Sequence, residues 1–480
     1  MAGVSVFRLC LGLACSALLA SCALTPDYQR PELDVPDSYS TGGDVPVTIV
    51  PGESIANLAW WQVFEDAQLQ GLIRSALAEN KDLGVALSRV AQANAQVTST
   101  RANQFPFLDI SGGAERGRQS QLLVPGAGID ESFSIAGHLS FELDLWRKLS
   151  RSTESARASL LASEAVQRHV ALSIVGNVAS AYFVLLDLDE RLLIARRTLA
   201  SRQGSLAIIQ LRFDKGTAPE LDVNQAQVEL AVAEVSIAAF QRQIAQVEHS
   251  LAILLGRNPG PVKRGLSLTE QQLLPEIPTG VPSELLQRRP DVVAAEQALH
   301  AETALIGVAE ALRYPSLSLT GSYGALSDDL SDLNDSSAET WGVAGSLFAP
   351  IFNWGQLKAQ SEAQRAQAEQ ALYAYEATLQ QAFREVADAL VAVRTYRQEY
   401  QAYHRQARAA RNAERLSQAR YDAGLVDYLE VLESSRSLFN AELSESESYQ
   451  GAMNAIVDLY QALGGGWIPE AGATSSGQTP

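Results

Sequence analysis

Four segments of the chain alternate apolar and polar residues with a period of two. The clearest runs from Phe133 to Leu145, where every second residue is apolar or glycine. The others begin near Leu108, Leu317 and Trp341, the last continuing to Ile351. One apolar and one polar face over about ten residues is typical of strands in a membrane β-barrel. An antiparallel sheet on a soluble core would give the same pattern, so the alternation alone leaves both open.

Helical periodicity fills most of the remaining chain. One helix is predicted over 66–101, and two much longer ones over 148–212 and 355–420. Roughly 65 residues at ~1.5 Å each make such a helix ~95 Å long. Each long helix is followed by a short turn and a returning helix. Apolar residues of the first returning helix step by three and four, as in a coiled-coil seam: Ile237, Phe240, Ile244, Val247, Leu251 and Leu254.

The two halves of the chain repeat each other at an offset of about 208 residues, which indicates a duplicated structural unit. The clearest matches are Arg212-Phe213-Asp214-Lys215-Gly216 with Arg420-Tyr421-Asp422-Ala423-Gly424, and Leu221-Asp222-Val223 with Leu429-Glu430-Val431. The repeats are predicted over 61–256 and 283–467, joined by a proline-rich linker over 257–282.

The turn after each long helix holds a glycine, Gly216 or Gly424, where a positive φ is expected. The second turn has Asp427 where the first has Pro219, so the two turns differ. The second helix pair is therefore expected to move while the first stays fixed.

The N-terminus has the features of an export signal. Residues 1–21 hold one early charge and an apolar stretch too short to span a bilayer. They end in Leu19-Ala20-Ser21-Cys22, which resembles a bacterial lipobox and predicts lipidation of Cys22. Ala23 follows, and not an aspartate, which in such signals resembles sorting to the outer membrane. An ordinary signal peptide with an incidental cysteine is the alternative. Residues 22–60 are predicted to be an extended arm, or else a disordered linker, and 468–480 a flexible tail.

Charge and composition exclude several classes of protein. The net charge of −18 becomes −19 once Arg8 leaves with the signal, which argues against nucleic acid as a partner. The five histidines are scattered and no catalytic motif is present, so we predict no enzyme, metal site or cofactor. After the signal, no 18 consecutive residues are apolar, and no transmembrane helix is predicted.

Four strands cannot close a membrane barrel, because such barrels begin at about eight strands. Open strand edges do not occur in lipid, since each unsatisfied backbone group costs several kcal/mol. Two, three or four copies must therefore share one barrel. The long helices would continue the wall of this pore away from the membrane.

Several motifs together resemble the TolC-like outer membrane efflux factors, in the OprM and NodT lipoprotein branch. The matching stretches are Pro26-Asp27-Tyr28-Gln29-Arg30-Pro31, Trp60-Trp61 with Phe64 and Asp66, Arg289-Pro290-Asp291-Val292, and Leu459-Tyr460-Gln461-Ala462-Leu463-Gly464-Gly465-Gly466-Trp467.

This resemblance implies an α+β membrane protein: a homotrimer whose 12-stranded β-barrel is continuous with a 12-helix α-barrel. The family's role would make it the passive exit duct of a tripartite efflux system. It would carry drugs or other small toxic compounds and dock to a periplasmic adaptor and an inner-membrane pump of the RND type.

The resemblance also places a periplasmic gate near the second turn. Leu429 and Glu433 would form the constriction, although the family often carries aspartate at the position of Glu433. Arg420 and Tyr421 would be a lock, with Asp427 or Glu430 as the partner of Arg420. Solvated turn charges are the alternative interpretation.

Two other functions fit parts of the pattern. The same duct could serve a type I protein secretion system, or the chain could be a structural envelope lipoprotein without a pore. The lipobox and the family motifs favour efflux over secretion, and the four alternating segments argue against a protein without a pore.

Overall fold

The fold comes from a computed structural model, which describes residues 27–32, 36, 57–120, 122–123, 125–272 and 285–465. The predicted signal, the lipidation site Cys22 and the predicted tail lie outside the described residues, as do parts of the predicted arm and linker.

Nine α-helices and four β-strands form within the described ranges, with three short 3-10 segments. In chain order they are α1 Trp60–Val63, α2 Ala67–Glu79, α3 Lys81–Ala102, β1 Phe107–Arg118, β2 Ile129–Leu143, α4 Lys148–Asp214, α5 Glu220–Leu254, α6 Leu285–Arg288, α7 Pro290–Ala311, β3 Ser316–Ser327, β4 Glu339–Phe348, α8 Gln356–Asp422 and α9 Tyr428–Ala462.

The four strands form one antiparallel sheet in the order β1-β2-β3-β4. Its register places the apolar positions of all four strands on one face. One row across the sheet is Leu108, Leu139, Gly321 and Val343, and the next is Ile110, Gly137, Tyr323 and Trp341. The alternating segments are thus correctly predicted as strands. Among the residues that the structure describes, no strand pairs with the outer edge of β1 or of β4.

The fourth strand is shorter than predicted, because pairing with β3 ends at Phe348 and not at Ile351. The acidic connection between β3 and β4 contains 3-10 segments at Leu330–Asn334 and Ser336–Ala338. The carboxylates of Asp329 and Asp335 cap them by accepting from the amides of Ser331 and Ser337.

The long helices match their predicted positions closely. Helices α4 and α8 each have 67 residues, and the returning helices α5 and α9 each have 35. The predicted seam of α5 is buried where Phe240 packs with Leu188 and Phe439. Of the described helices, only α4 has an 18-residue window apolar enough to cross a membrane, and half of that window is already buried.

The helix predicted over 66–101 is two helices, so this prediction is wrong in detail. Asn80 has an extended backbone and separates α2 from α3. Its side-chain oxygen accepts from the amides of Asp82 and Leu83, which caps α3. Its side-chain nitrogen donates to the carbonyl of Leu254 at 2.9 Å. These side-chain bonds to backbone groups stabilise the extended backbone of Asn80 and thereby interrupt the helix.

The chain divides into two compact units, neither of which coincides with a predicted repeat. Unit 1 takes Met1–Glu32, Ser88–Glu164 and Ala294–Glu376 and contains the sheet. Unit 2 takes Leu33–Leu87, Ala165–Val293 and Ala377–Pro480. Its main core is apolar and contains Leu69, Ile73, Val178, Tyr182, Leu251 and Leu459, all fully buried.

In unit 1 the described arm residues are held by charge pairs and stacking. Arg30 donates through two nitrogens to the carboxylate of Glu296. Asp27 accepts from Arg151 at 2.8 Å. Tyr28 stacks on His300 with ring centroids 4.5 Å apart. The described piece of the arm is therefore a packed segment of unit 1.

Candidate functional site

The two predicted turns have nearly the same backbone geometry. Gly216 has φ 74° and Gly424 has φ 71°, the left-handed region that glycine adopts without strain. The amide of Thr217 donates to the carbonyl of Arg212, and that of Leu425 to the carbonyl of Arg420, each at 2.9 Å. These are helix-ending bonds that satisfy carbonyls of the last turn. The repeated sequence therefore builds two similar helical hairpins, α4–α5 and α8–α9.

Within unit 2 the ends of these hairpins share an apolar cluster, which we call the tip cluster. Its buried members are Ile209, Val223, Ala226, Tyr421, Tyr428, Val431 and Leu432. The first three belong to the α4–α5 hairpin and the other four to α8–α9. Burial of this apolar surface holds the two hairpin ends together.

Tyr421, one of the predicted lock residues, joins the two hairpins. Its ring packs against Tyr428, with centroids 5.8 Å apart. The guanidinium of Arg212, on α4, lies 4.5 Å from the centroid of the Tyr421 ring. At this separation the cation is attracted to the face of the ring.

Arg420, the other predicted lock residue, pairs with Glu430 at 2.7 Å. Asp427, the other acid considered as a partner, is the N-cap residue of α9, and its side chain makes no capping bond. Both members of the pair lie in the same hairpin. The Arg420 side chain is 55% exposed, and such exposed pairs contribute only ~0–1 kcal/mol.

The two predicted constriction residues lie together on the surface of α9. Leu429 is 55% exposed and Glu433 is also exposed. They are four residues apart, so they lie on the same face of the helix, one turn from each other. An exposed leucine beside an exposed carboxylate is available for contact with other copies of the chain.

Two carboxylates of different hairpins, Asp222 of α5 and Asp427 at the start of α9, repel each other near the turns. Partial burial raises the pKa of Asp222, on α5, and the negative charge of Asp427 raises it further. This like-charge repulsion opposes the packing that the tip cluster favours.

A buried ionic cluster that the sequence did not predict lies further along the same helices. Glu229 on α5, whose side chain is 5% exposed, accepts from Arg202 of α4 at 2.9 Å and from Arg436 of α9 at 2.6 Å. Arg202 also donates to the Glu229 carbonyl at 2.6 Å and lies over the ring of Phe439. We call these three charged residues the Glu229 triad.

One signal for this cluster was present in the sequence. Glu229 follows Val223 and Ala226 at steps of three, on the buried side of α5. A charge on the apolar side of a helix requires a partner. The sequence does not say which of the chain's many arginines supplies it.

Within the part of the chain that the structure describes, no group of three or more histidine, cysteine, aspartate or glutamate side chains could hold a metal ion. The site therefore consists of packed helices, charges and an apolar cluster.

Comparison with known proteins gives a family match over most of the chain. The family model described as "outer membrane efflux protein" matches residues 72–257 and 281–465. The probable efflux pump outer membrane protein TtgC of Pseudomonas putida is 36% identical over 468 residues, which are 96% of each chain. The outer membrane protein OprJ of Pseudomonas aeruginosa is 36% identical over 456 residues, or 94% of each chain.

A solved structure gives the same result at the level of the fold. The open state of the MtrE outer membrane channel of Neisseria gonorrhoeae superposes with a TM-score of 0.84 at 31% identity. The match covers 93% of this chain and 98% of that one.

Proposed function

Because this chain belongs to the outer membrane efflux protein family, we propose that three copies close one 12-stranded β-barrel continuous with a 12-helix α-barrel. The chain is an outer membrane channel, an exit duct for efflux, and not an enzyme. It spans the outer membrane and extends into the periplasm, and channels of this family work with periplasmic adaptors and inner-membrane pumps.

The observation that carries the shared barrel is the open sheet, while the number three comes from the family. Strands β1 and β4 each have one unpaired edge, and they run antiparallel to each other. The edge of β4 can therefore pair with β1 of the next copy in the same antiparallel manner. Closure removes every free edge from the lipid, which an isolated chain cannot do. The apolar face of the sheet would then face the lipid.

Cysteine cross-linking between strand edges tests this closure. Once the signal is removed, the chain has no cysteine except the predicted lipidation site Cys22, so introduced cysteines have little background. Ile110→Cys on β1 is combined with Trp341→Cys, Val343→Cys or Gly345→Cys on β4, which scan the register between copies. Oxidation of the correct pair is expected to give a denaturant-resistant ladder that ends at three chains.

The matched control replaces the edge cysteine by one on an inner strand. Ile135→Cys on β2 with the same β4 cysteine is expected to give no ladder, because β2 is already paired on both sides. A ladder that ends at two or four chains would contradict the trimer.

The second part of the proposal is a gate at the α8–α9 hairpin. Leu429 and Glu433 of three copies would narrow the pore at the periplasmic end, with Arg420, Glu430, Asp427 and Tyr421 supporting them. Three carboxylates that converge on one axis attract cations and repel each other. The exposure and common helix face of Leu429 and Glu433 support this role.

Single-channel conductance in planar bilayers tests the gate. Glu433→Ala is expected to raise conductance because it removes a side chain from each position of the constriction. Arg420→Ser is expected to raise the open-to-closed ratio less than about fivefold, because an exposed ion pair contributes at most ~1 kcal/mol. Arg415→Ser, an exposed arginine of the same helix, is the control. If Glu433→Ala leaves the conductance unchanged and Arg420→Ser leaves the open-to-closed ratio unchanged, the gate is misplaced.

The N-terminus, the partners and the cargo complete the proposal. Acylation of Cys22 would tether each copy to outer membrane lipid at the start of the arm over 22–60. The pump would be of the RND type and the cargo drugs or other small toxic compounds. The repeat boundaries at 61–256 and 283–467, and the linker at 257–282, stay predictions.

A further inference from the structure

Several residues of α9 make polar contacts from the α8–α9 hairpin to the α4–α5 hairpin. Along α9 from its middle toward its start, the last of these contacts lies before the turn is reached. Ser446 donates to Asp187 of α4 at 2.6 Å, and Glu442 pairs with Arg197 of α4. The next such contact along α9 is Arg436 with Glu229 of α5.

Nearer to the turns, the described residues make no hydrogen bond or ion pair between the hairpins. The tip cluster and the Arg212–Tyr421 ring contact join them there. The Arg436–Glu229 pair is therefore the last ionic connection before the proposed gate. Arg436 lies three residues beyond Glu433 and seven beyond Leu429, which is about two helical turns, or ~10 Å.

The Arg436–Glu229 pair differs from an exposed ion pair because Glu229 is buried. A carboxylate taken out of water must be paired, and both oxygens of Glu229 have an arginine partner. Burial lowers the pKa of Arg202, while the charge of Glu229 opposes this shift. The Arg202 side chain is itself only 6% exposed, so Arg202 and Glu229 form a fixed acceptor within the α4–α5 hairpin. Arg436 is 41% exposed and is the member that comes from the other hairpin.

The ion pair of the proposed lock residue Arg420 does not connect the two hairpins. Arg420 and Glu430 lie in the same hairpin, and so do Ser417 and Ser434, whose hydroxyls are 2.5 Å apart. These contacts stay intact if α8–α9 moves as one body away from α4–α5. Near the turns, the contacts that must break are those of the tip cluster, the Arg212–Tyr421 contact and the Arg436–Glu229 pair.

We propose that Arg202, Glu229 and Arg436 are positioning residues of the gate: they hold α9 against α5 and set the closed position of Leu429 and Glu433. This inference rests on the gate proposed above. Release of Arg436 from Glu229 removes the ionic connection nearest the gate, so that only the tip cluster and the Arg212–Tyr421 contact hold the start of α9 in place.

Single-channel recording of the full-length acylated protein in planar bilayers tests the inference. Arg436→Gln is expected to raise the open-to-closed ratio roughly tenfold, which corresponds to about 1.4 kcal/mol. Arg436→Lys keeps the charge and is expected to lie between wild type and Arg436→Gln. The control Arg415→Gln removes an exposed arginine that bonds Asn412 of its own helix, and it is expected to leave the ratio unchanged.

The outcomes separate this inference from the gate itself. If Glu433→Ala raises conductance and Arg436→Gln does not, the triad has no positioning role and the gate stands. If neither variant has an effect, both proposals are wrong. An equal effect of Arg415→Gln also overturns the triad, since loss of any positive charge would then suffice. If Arg436→Gln does not assemble, the comparison uses the lysine variants. The open-to-closed ratio of Arg436→Lys must then be higher than that of Arg415→Lys, and equal ratios would overturn the inference.

Discussion

At the scale of single residues, one carboxylate organises much of unit 2. Asp66 is 2% exposed and starts α2 by accepting from the amides of Gln68 and Leu69. It also accepts from the Tyr182 hydroxyl, the Leu266 amide and the Gln271 side chain, at 2.9–3.0 Å. The same oxygens thus cap a helix, fix a side chain of α4 and hold the segment after α5. Five donors stabilise a charge that would otherwise be costly to bury.

Loss of this carboxylate is expected to destabilise the fold strongly. Asp66→Ala leaves several buried donors without an acceptor, at ~1–3 kcal/mol for each one that water cannot reach. We expect a total loss of roughly 3–5 kcal/mol. Thermal unfolding of the purified protein measures it. Glu65, the residue before Asp66, carries an exposed carboxylate. Its variant Glu65→Ala is the control and should change stability by less than about 0.5 kcal/mol. Equal effects of the two variants would contradict this role for Asp66.

At the scale of elements, the periodicity of the sequence predicts those helices and strands that depend only on neighbouring residues. Strand alternation and helical spacing are properties of neighbouring residues, so the helix predicted over 148–212 is observed over Lys148–Asp214. The break at Asn80 was missed because its second partner, the carbonyl of Leu254, is 174 residues away in sequence. The partners of Glu229 were missed for the same reason: they come from other helices.

The ends of the two hairpins are expected to respond to pH through Asp222. Its pKa is raised in the packed state by burial and by Asp427, so protonation favours packing. Packing should therefore strengthen as pH falls through this raised pKa and weaken as pH rises above it. Tyr428, whose pKa burial raises to about 12, stays neutral throughout.

Conductance recorded at roughly pH 4.5 and 7.5 checks this response. Wild type should open more at the higher pH. Asp222→Asn should open less than wild type at the higher pH and should vary less between the two. Asp214→Asn, an exposed carboxylate that accepts from Gln210 of its own helix, is the control. An unchanged pH response in Asp222→Asn would exclude this carboxylate as the source.

At the scale of the whole molecule, the sequence pattern predicts that copies must combine, but it does not count them. Alternation gives four strands, and two, three or four chains would all close a barrel. The number three comes from the family motifs, such as Arg289-Pro290-Asp291-Val292. In the structure Arg289 pairs with Asp291 and Glu385 and donates to the carbonyl of Ala462. This motif is therefore a packing element of unit 2, and it identifies a family without revealing its symmetry.

Deletion of the gene tests the function at this scale. Cells that lack the chain are expected to become more sensitive to drugs or other small toxic compounds and to secrete proteins normally. The wild-type gene should restore resistance. Unchanged sensitivity together with lost secretion of a protein would favour a type I secretion duct.

The order of the strands also constrains how the chain folds during its synthesis. Strand β2 pairs with β3, yet Leu143 and Ser316 are separated by the whole first pair of long helices. Closing a loop of roughly 170 residues costs about 2.5 kcal/mol more entropy than closing a ten-residue hairpin. The two hairpins of the sheet are therefore expected to form separately, and they can join only after residues 316–348 have been exported. Until they join, each hairpin has an unpaired inner edge as well as an apolar face. Such strand edges are prone to aggregation, so we expect the unassembled chain to need protection in the periplasm.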